Sequence, residues 1–253
     1  MVGGKIMQNL LIVENDLTES HFLINSVCKK FLNIRLYAAV STGIEAINII
    51  TKKEVDIIIL DLKLPDMTGI DVINFISKNN LSKYNLSVIV IIDNCKKLSQ
   101  VINSKYVFSY CAKSNSIDFI IEKIDILVRM KEKECKTDMI KEKIKKELEM
   151  LHINFSYIGT KYLHDCIYEC YYKNVKYDIN LNKTIYPIIS KRYHQTIDCI
   201  RTNIFQSITK MYFQAENATL STYFGYTVIN KPKMKEVMFK ILEKLYDNMV
   251  IDR

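Results

Sequence analysis

Apolar and polar positions follow two different periods along this chain, and the change between them falls near residue 130. Up to that point short apolar runs recur at residues 9–13, 34–39, 55–60, 87–92 and 108–112, each followed by a stretch with helical spacing. Runs of this length, rich in Ile and Val, suit buried strands. Strands alternating with helices predict a five-stranded parallel, doubly wound sheet covered on both faces. Beyond residue 147 the pattern is helical throughout, which predicts an all-α module. In it, residues 181–193 (LNKTIYPIISKRY) and 196–212 (TIDCIRTNIFQSITKMY) are expected as two helices joined by the His194-Gln195 turn, the geometry of a helix-turn-helix. Thr196 is a fitting N-cap, and Ile197, Ile200, Ile204, Ile208 and Met211 form the core stripe of the second helix.

Between the two patterns lies KEKECKTDMIKEKIKK, residues 131–146, with seven lysines against four acids. Mixed Lys/Glu at this spacing suits a solvated helix or linker, so the division is expected as 1–130, a charged linker at 131–146, and 147–253. The chain carries net charge +8, of which +2 falls before residue 131 and +6 after it. From residue 147 onward the balance is only +3, weak for a dedicated nucleic-acid binder. A chain 49% apolar and 25% charged excludes disorder. Its longest apolar runs are too short to span a membrane, and MVGGKIMQN is unlike a secretion signal. Seven cysteines without CxxC pairs then point to reduced thiols in a cytoplasm.

The densest chemistry lies in DIIILDLKLPDMTGIDVI, residues 56–73. An apolar run carries Asp61 to the end of a strand, and the Pro65-Asp66 and Gly69 turn leads into a helix. In open α/β sheets ligands bind at that edge, so Asp61 is a candidate nucleophile or metal ligand. The other strand ends offer Glu14, Asn15 and Asp16, then Ile92 and Asp93, then Lys113. His164, Cys166 and Cys170 share one helical stretch, but no fourth metal ligand accompanies them.

LIVEND (11–16), LDLKLPDMTGIDV, SVIVII and YCAK (110–113) resemble, in order and spacing, the receiver domain of two-component response regulators, a flavodoxin-like fold. The resemblance implies phosphoryl transfer from a histidine kinase or phosphotransferase to Asp61. It also implies Mg²⁺ (or Ca²⁺) held by Glu14, Asn15, Asp61 and the Lys63 carbonyl, Lys113 paired with the phosphoryl charge, and Tyr110 as the aromatic switch. Two positions depart from that pattern. Asn15 replaces an acid with a neutral amide, which predicts weak or absent metal binding. Ile92 stands where the family has a Ser or Thr. The missing hydrogen bond to a charged group removes about 1.5–3 kcal/mol, against the roughly 5.5 kcal/mol needed to swing a two-state switch.

The second half resembles the effector domains of the stage zero sporulation protein A family across roughly residues 147–247, through GTKYLHDCI (159–167), TIYPIISKRY (184–193), YFGYTV (223–228) and KPKMKEVMFKILEKL (231–245). The resemblance implies double-stranded DNA as partner and pairing of effector domains, with itself or a paralogue. The residues placed at DNA would be Lys191, Arg192, Thr196, Asp198, Cys199, Arg201, Thr202, Phe205, Gln206 and Lys210. The family's recognition helix carries several arginines; between Thr196 and Tyr212 this one has only Arg201 and Lys210 as cations. Each bidentate Arg–guanine contact contributes about 1–3 kcal/mol, so an altered sequence preference is expected. The expected function is a sporulation-type DNA-binding regulator with weak or absent phosphorylation control, and not an enzyme. The alternative is an interaction protein that modulates a true regulator or its kinase by heterodimerisation or competition.

Overall fold

The computed structural model describes residues 7–81, 85–93 and 104–251. These fall into two compact units that divide between Lys133 and Glu134.

The first unit holds strands β1 (Gln8–Val13), β2 (Ile34–Val40), β3 (Ile57–Asp61), β4 (Ser87–Ile92) and β5 (Val107–Ala112) in one sheet of order β2-β1-β3-β4-β5. All neighbouring pairs are parallel. Every residue of β3 is buried, as its IIIL run requires for a central strand covered on both faces. Leu11, Val13, Ile58, Leu60, Val90 and Ile92 pack on one side with helices α2 (Gly43–Lys52) and α3 (Gly69–Lys78). Leu10, Ile12, Ile57, Ile59, Ile89 and Ile91 pack on the other side with α1 (Leu17–Lys30) and the first part of α4 (Ile117–Met150). Each such side chain contributes about 1.5–3 kcal/mol when fully buried, so these two layers fix where the strand ends lie.

The third strand starts later than residues 55–60 suggest. It runs from Ile57 and takes in Asp61 itself; just before it, Asp56 accepts the Asn9 N–H through its side chain at 2.7 Å, while its main chain donates to the Asn9 carbonyl and accepts from Ser87. The helix expected after β4 falls on residues 94–103, outside the described residues.

Residues 131–146 lie within α4, and Ile140, Ile144 and Leu148 are buried in the core of the second unit. That unit continues through α5 (Ile158–Tyr172), α6 (Leu181–Thr184), α7 (Tyr186–Tyr193), α8 (Ile197–Gln214), α9 (Asn217–Phe224) and α10 (Met234–Ile251). The single helix expected over 181–193 is interrupted at Ile185. Pro187 sits in the first turn of α7, where its missing N–H costs nothing, whereas inside a continuous helix its ring would clash with the Lys183 carbonyl. His194 closes α7 in a left-handed conformation (φ 52°), and Thr196 caps α8 by accepting the Cys199 N–H. The expected stripe forms the core face of α8: Ile200, Ile204, Ile208 and Met211 are buried, and Ile197 packs partly buried against them. Helix α5 meets α8 at Gly159, where a Cβ would lie 2.0 Å from the Asn203 carbonyl oxygen, so only glycine permits this approach.

Candidate functional site

The strand order lays the ends of β1, β3, β4 and β5 side by side, and the side chains that follow β1, β3 and β5 form an acidic pocket. Asp61 is 1% exposed. Its Oδ1 accepts the Lys63 N–H at 3.0 Å, and Lys113 Nζ lies 2.8 Å from its Oδ2 as an ion pair. The same ammonium stands 3.4 Å from Glu14 Oε1 and 3.1 Å from Glu19 Oε2. Burial alone would lower the Lys113 ammonium. Its close ion pairs with Asp61 and Glu19 and the charges of Asp61 and Glu14 together outweigh that and hold it well above the ordinary lysine range. Glu19, on the first turn of α1, is a partner that the strand-end pattern did not single out.

Local sequence builds the pocket walls. Thr68 and Asp71 form a capping box that starts α3, and Asp66 accepts the Gly43 and Ile44 N–H groups, both at 2.8 Å, tying the turn after Asp61 to α2. A Cβ on Gly69 would lie 2.5 Å from the Asp61 carbonyl oxygen, so the turn closes only with glycine there. Asp16 is occupied as the N-cap of α1, its Oδ1 accepting from Thr18 N (2.8 Å) and Glu19 N (3.1 Å).

Four groups bear on a metal ion here: Glu14, Asn15, Asp61 and the Lys63 carbonyl. The Asn15 amide lies 3.1 Å from the Lys63 carbonyl oxygen and 3.3 Å from Glu14 Oε1. With nitrogen turned inward it donates to both; with oxygen turned inward, three oxygens converge as a hard cation requires. Glu14 Oε2 is buried without a hydrogen-bond partner, and Asp61 Oδ2 has the ammonium but no aligned hydrogen bond. Burial raises the Glu14 carboxyl to about 7, and the Asp61 charge adds to it against the lowering effects of the Asp16 N–H and Lys113. The residues therefore fit Mg²⁺, with a neutral amide at Asn15 and a Glu14 carboxyl that burial makes harder to ionise. A bound Mg²⁺ would supply neutralisation of phosphoryl oxygens.

The structure brings Glu14, Asn15, Asp61, Lys63 and Lys113 into one pocket; Ile92 ends β4 between β3 and β5, its carbonyl accepting the Lys113 N–H at 2.8 Å, and Tyr110 lies on β5. Ile92 is 1% exposed in the sheet core. Tyr110 is 43% exposed and borders a cleft of about 330 Å³ shared with Ile92, Asn115 and Phe119.

In the second unit, Asp198, Arg201, Thr202, Phe205, Gln206 and Lys210 of α8 are exposed, with Cys199 half-buried and Thr196 exposed at the cap. Arg201 lies 3.6 Å from Asp198, and Lys210 stands over the Tyr157 ring at 3.6 Å. Lys191 is exposed on the last turn of α7. Arg192 is differently placed: its guanidinium donates to Asp165 Oδ2 at 2.8 Å and to Glu169 Oε1, both carboxylates on α5, and Tyr193 also donates to Asp165. Arg192 thus ties the turn of the motif to α5 before it can meet a phosphate. Lys231, absent from the sequence-derived set, reaches onto α8, with Nζ 3.4 Å from the Phe205 ring centroid and a hydrogen bond to Thr209. His164 places one ring nitrogen 3.0 Å from Asp165 Oδ1 and the other 3.0 Å from the Lys141 carbonyl, and burial pushes the Cys170 thiol to about 12.

Comparison with known proteins gives two family matches: the response regulator receiver domain over residues 10–125 and the sporulation initiation factor Spo0A C terminal over residues 144–247. Among solved structures, the first unit is similar to a DNA-binding response regulator of the LuxR family from Staphylococcus aureus (22% identity, 48% of this chain and 99% of that one, TM-score 0.44). It is also similar to a CheY-like receiver domain protein from Methanospirillum hungatei (19%, 51% and 98%, TM-score 0.44). A third match is the chemotaxis response regulator CheY4 of Vibrio cholerae (15%, 48% and 98%, TM-score 0.42).

A parallel sheet ending in a buried acid beside a lysine, together with a helical DNA-binding module, defines a response regulator that acts on transcription. The chain belongs to the Spo0A-type response regulators, whose receiver is joined to a sporulation initiation factor C-terminal domain. Receivers of this kind take Mg²⁺ at the phosphorylation site and interact with kinases or phosphotransferases, and the effector domain binds DNA. Among the described residues no helix is long and apolar enough to cross a membrane.

Proposed function

We propose that this chain is an atypical Spo0A-type transcription regulator of the cytoplasm. In this reading the receiver (1–130) responds weakly or not at all to phosphorylation, the charged segment (131–146) joins it to the effector, and the effector (147–253) binds a DNA sequence of its own. The observation that carries the receiver half is Ile92, 1% exposed at the end of β4, where a phosphoryl group on Asp61 would need a hydroxyl. A Mg²⁺ site with the neutral Asn15 and a Glu14 carboxyl raised to about 7 points the same way. Nor does Asp16 compensate, since its carboxylate caps α1. On the effector, the exposed face of α8 keeps Arg201 and Lys210 as its own cations and adds Lys231 from outside the helix.

Asp61 would act as acceptor, Lys113 would hold the transferred charge, and Lys191 and Lys210 would position phosphates of a duplex. Incubation with Mg²⁺ and a small phosphodonor, followed by intact-mass analysis, tests the receiver half. Slow, incomplete labelling is expected; rapid stoichiometric labelling abolished by Asp61→Asn would overturn it.

A second reading, an interaction protein that pairs with a true regulator, is favoured by one observation: Arg192 is held by Asp165 and Glu169. Selection from random-sequence DNA separates the two, because a DNA-binding regulator enriches a sequence and loses affinity steeply with salt.

A further inference from the structure

Helix α8 exposes two large apolar side chains, Phe205 in its middle and Phe213 in its last turn, and only Phe205 lies among the polar residues of its first half. Phe205 is 58% exposed among Asp198, Arg201, Thr202 and Gln206, all exposed. Lys231, from the segment between α9 and α10, sets its ammonium 3.4 Å from the centroid of that ring. It also donates to Thr209 Oγ1 at 2.9 Å, and Thr209 in turn donates to the Phe205 carbonyl at 2.7 Å. The ring is therefore held from one side by a cation–π contact while much of it stays open to solvent. Helices that read the major groove do so with side chains spaced i, i+3, i+4 and i+7. Asp198, Arg201, Thr202 and Phe205 have that spacing.

Resting on the DNA-binding reading above, we propose that Phe205 determines specificity by packing its ring against the C5 methyl of a thymine in the major groove. That methyl is the apolar group a base edge presents there, and phenylalanine is among the side chains that meet it. Lys231 adds beside it a cation that α8 lacks in its own sequence, suited to a phosphate or to guanine O6 and N7. An anchor for a protein partner would sit within a contiguous apolar patch. The neighbours of Phe205 within one turn, Arg201, Thr202 and Gln206, are polar, and the other exposed apolar side chain of α8, Phe213, lies two turns further on.

The test uses the full chain. A preferred site is selected from random-sequence duplexes, and each thymine in it is then replaced singly by deoxyuridine, which removes only the methyl group. At one thymine per bound effector domain the replacement is expected to weaken binding about fourfold, the effect of burying one methyl group. Phe205→Ala should bind both duplexes equally, and Phe205→Leu, which keeps an apolar contact, should retain part of the difference. A selected site that binds equally with thymine and deoxyuridine throughout, or a Phe205→Ala variant that still distinguishes them, overturns the proposal and leaves the DNA-binding reading standing. If no sequence is enriched at all, both fall, and Phe205 is then a contact for a protein partner.

Discussion

Lys113 Nζ lies 2.8 Å from Asp61 Oδ2, so the charge partner of the acceptor acid is in place even though β4 ends in a hydrocarbon side chain. In the proposed reading the scaffold of a phosphorylation switch is kept while its coupling is weakened. Restoring a hydroxyl with Ile92→Thr should return about 1.5–3 kcal/mol of coupling, a roughly 10- to 150-fold larger response of DNA affinity to a phosphodonor than in the parent chain. The exchange buries a hydroxyl in a packed core, so urea denaturation should show a loss of about 1–3 kcal/mol. A response as small as the parent's would place the defect elsewhere.

The Glu14 carboxyl, raised from 4.5 to about 7, gives a pH dependence of definite sign. Between those values the folded state binds more protons than the unfolded state, so this group's stabilisation is present at low pH and is lost as pH rises through about 7. In chelator, the thermal midpoint should fall from pH 5.5 to pH 8, and Glu14→Gln should flatten that slope. Mg²⁺ selects the ionised form, so its affinity should rise roughly tenfold from pH 6 to pH 8. Isothermal titration at the two values measures this, and equal affinities would remove Glu14 from the metal site.

Gly159 sets the approach of α5 to α8. Gly159→Ala would place a methyl 2.0 Å from the Asn203 carbonyl oxygen, which rigid backbone cannot accommodate. A destabilisation of about 1–3 kcal/mol by denaturant titration is expected, together with weakened DNA binding as α8 shifts. A variant with parental stability would mean the two helices part at little cost.

Much of the receiver could be read from the sequence because buried parallel strands leave a strong local mark. The IIIL run before Asp61 and the Pro-Asp-Met-Thr-Gly turn after it suffice to place an acid at a sheet edge. The pairing partners were less visible. Asp16 belongs to the same acidic turn as Glu14 and Asn15, and only its bonds to Thr18 and Glu19 N–H groups reveal a helix cap. On the effector, the stripe from Ile197 to Met211 showed which face of α8 is core. Arg192 and Lys231 escaped the pattern for one reason: their partners, Asp165, Glu169 and Phe205, lie 23 to 27 residues away and meet them only in the fold. The break before α7 was signalled by Pro187, whose ring is compatible only with a helix start.

Arg192 and Lys191 are neighbours in sequence with opposite expected behaviour. Arg192→Ala strips the guanidinium from Glu169, which is 8% exposed, so a stability loss of about 1–3 kcal/mol should appear. The salt dependence of DNA binding should stay nearly unchanged. Lys191→Ala should leave stability within about 0.5 kcal/mol and reduce the slope of log affinity against log salt by about one. Gel-shift titrations across a salt series distinguish them, and a reduced slope for Arg192→Ala would show that its guanidinium leaves the carboxylates for DNA.

The central claim is that the receiver no longer governs the effector strongly, and DNA affinity of the full chain with and without Mg²⁺ and a small phosphodonor tests it most directly. A change of less than about threefold, below the roughly fivefold at which ordinary allosteric coupling begins, and unaltered by Asp61→Asn, is the result expected here. A gain of more than about thirtyfold that disappears in Asp61→Asn would contradict it, and would return Asp61 to the role of a working switch.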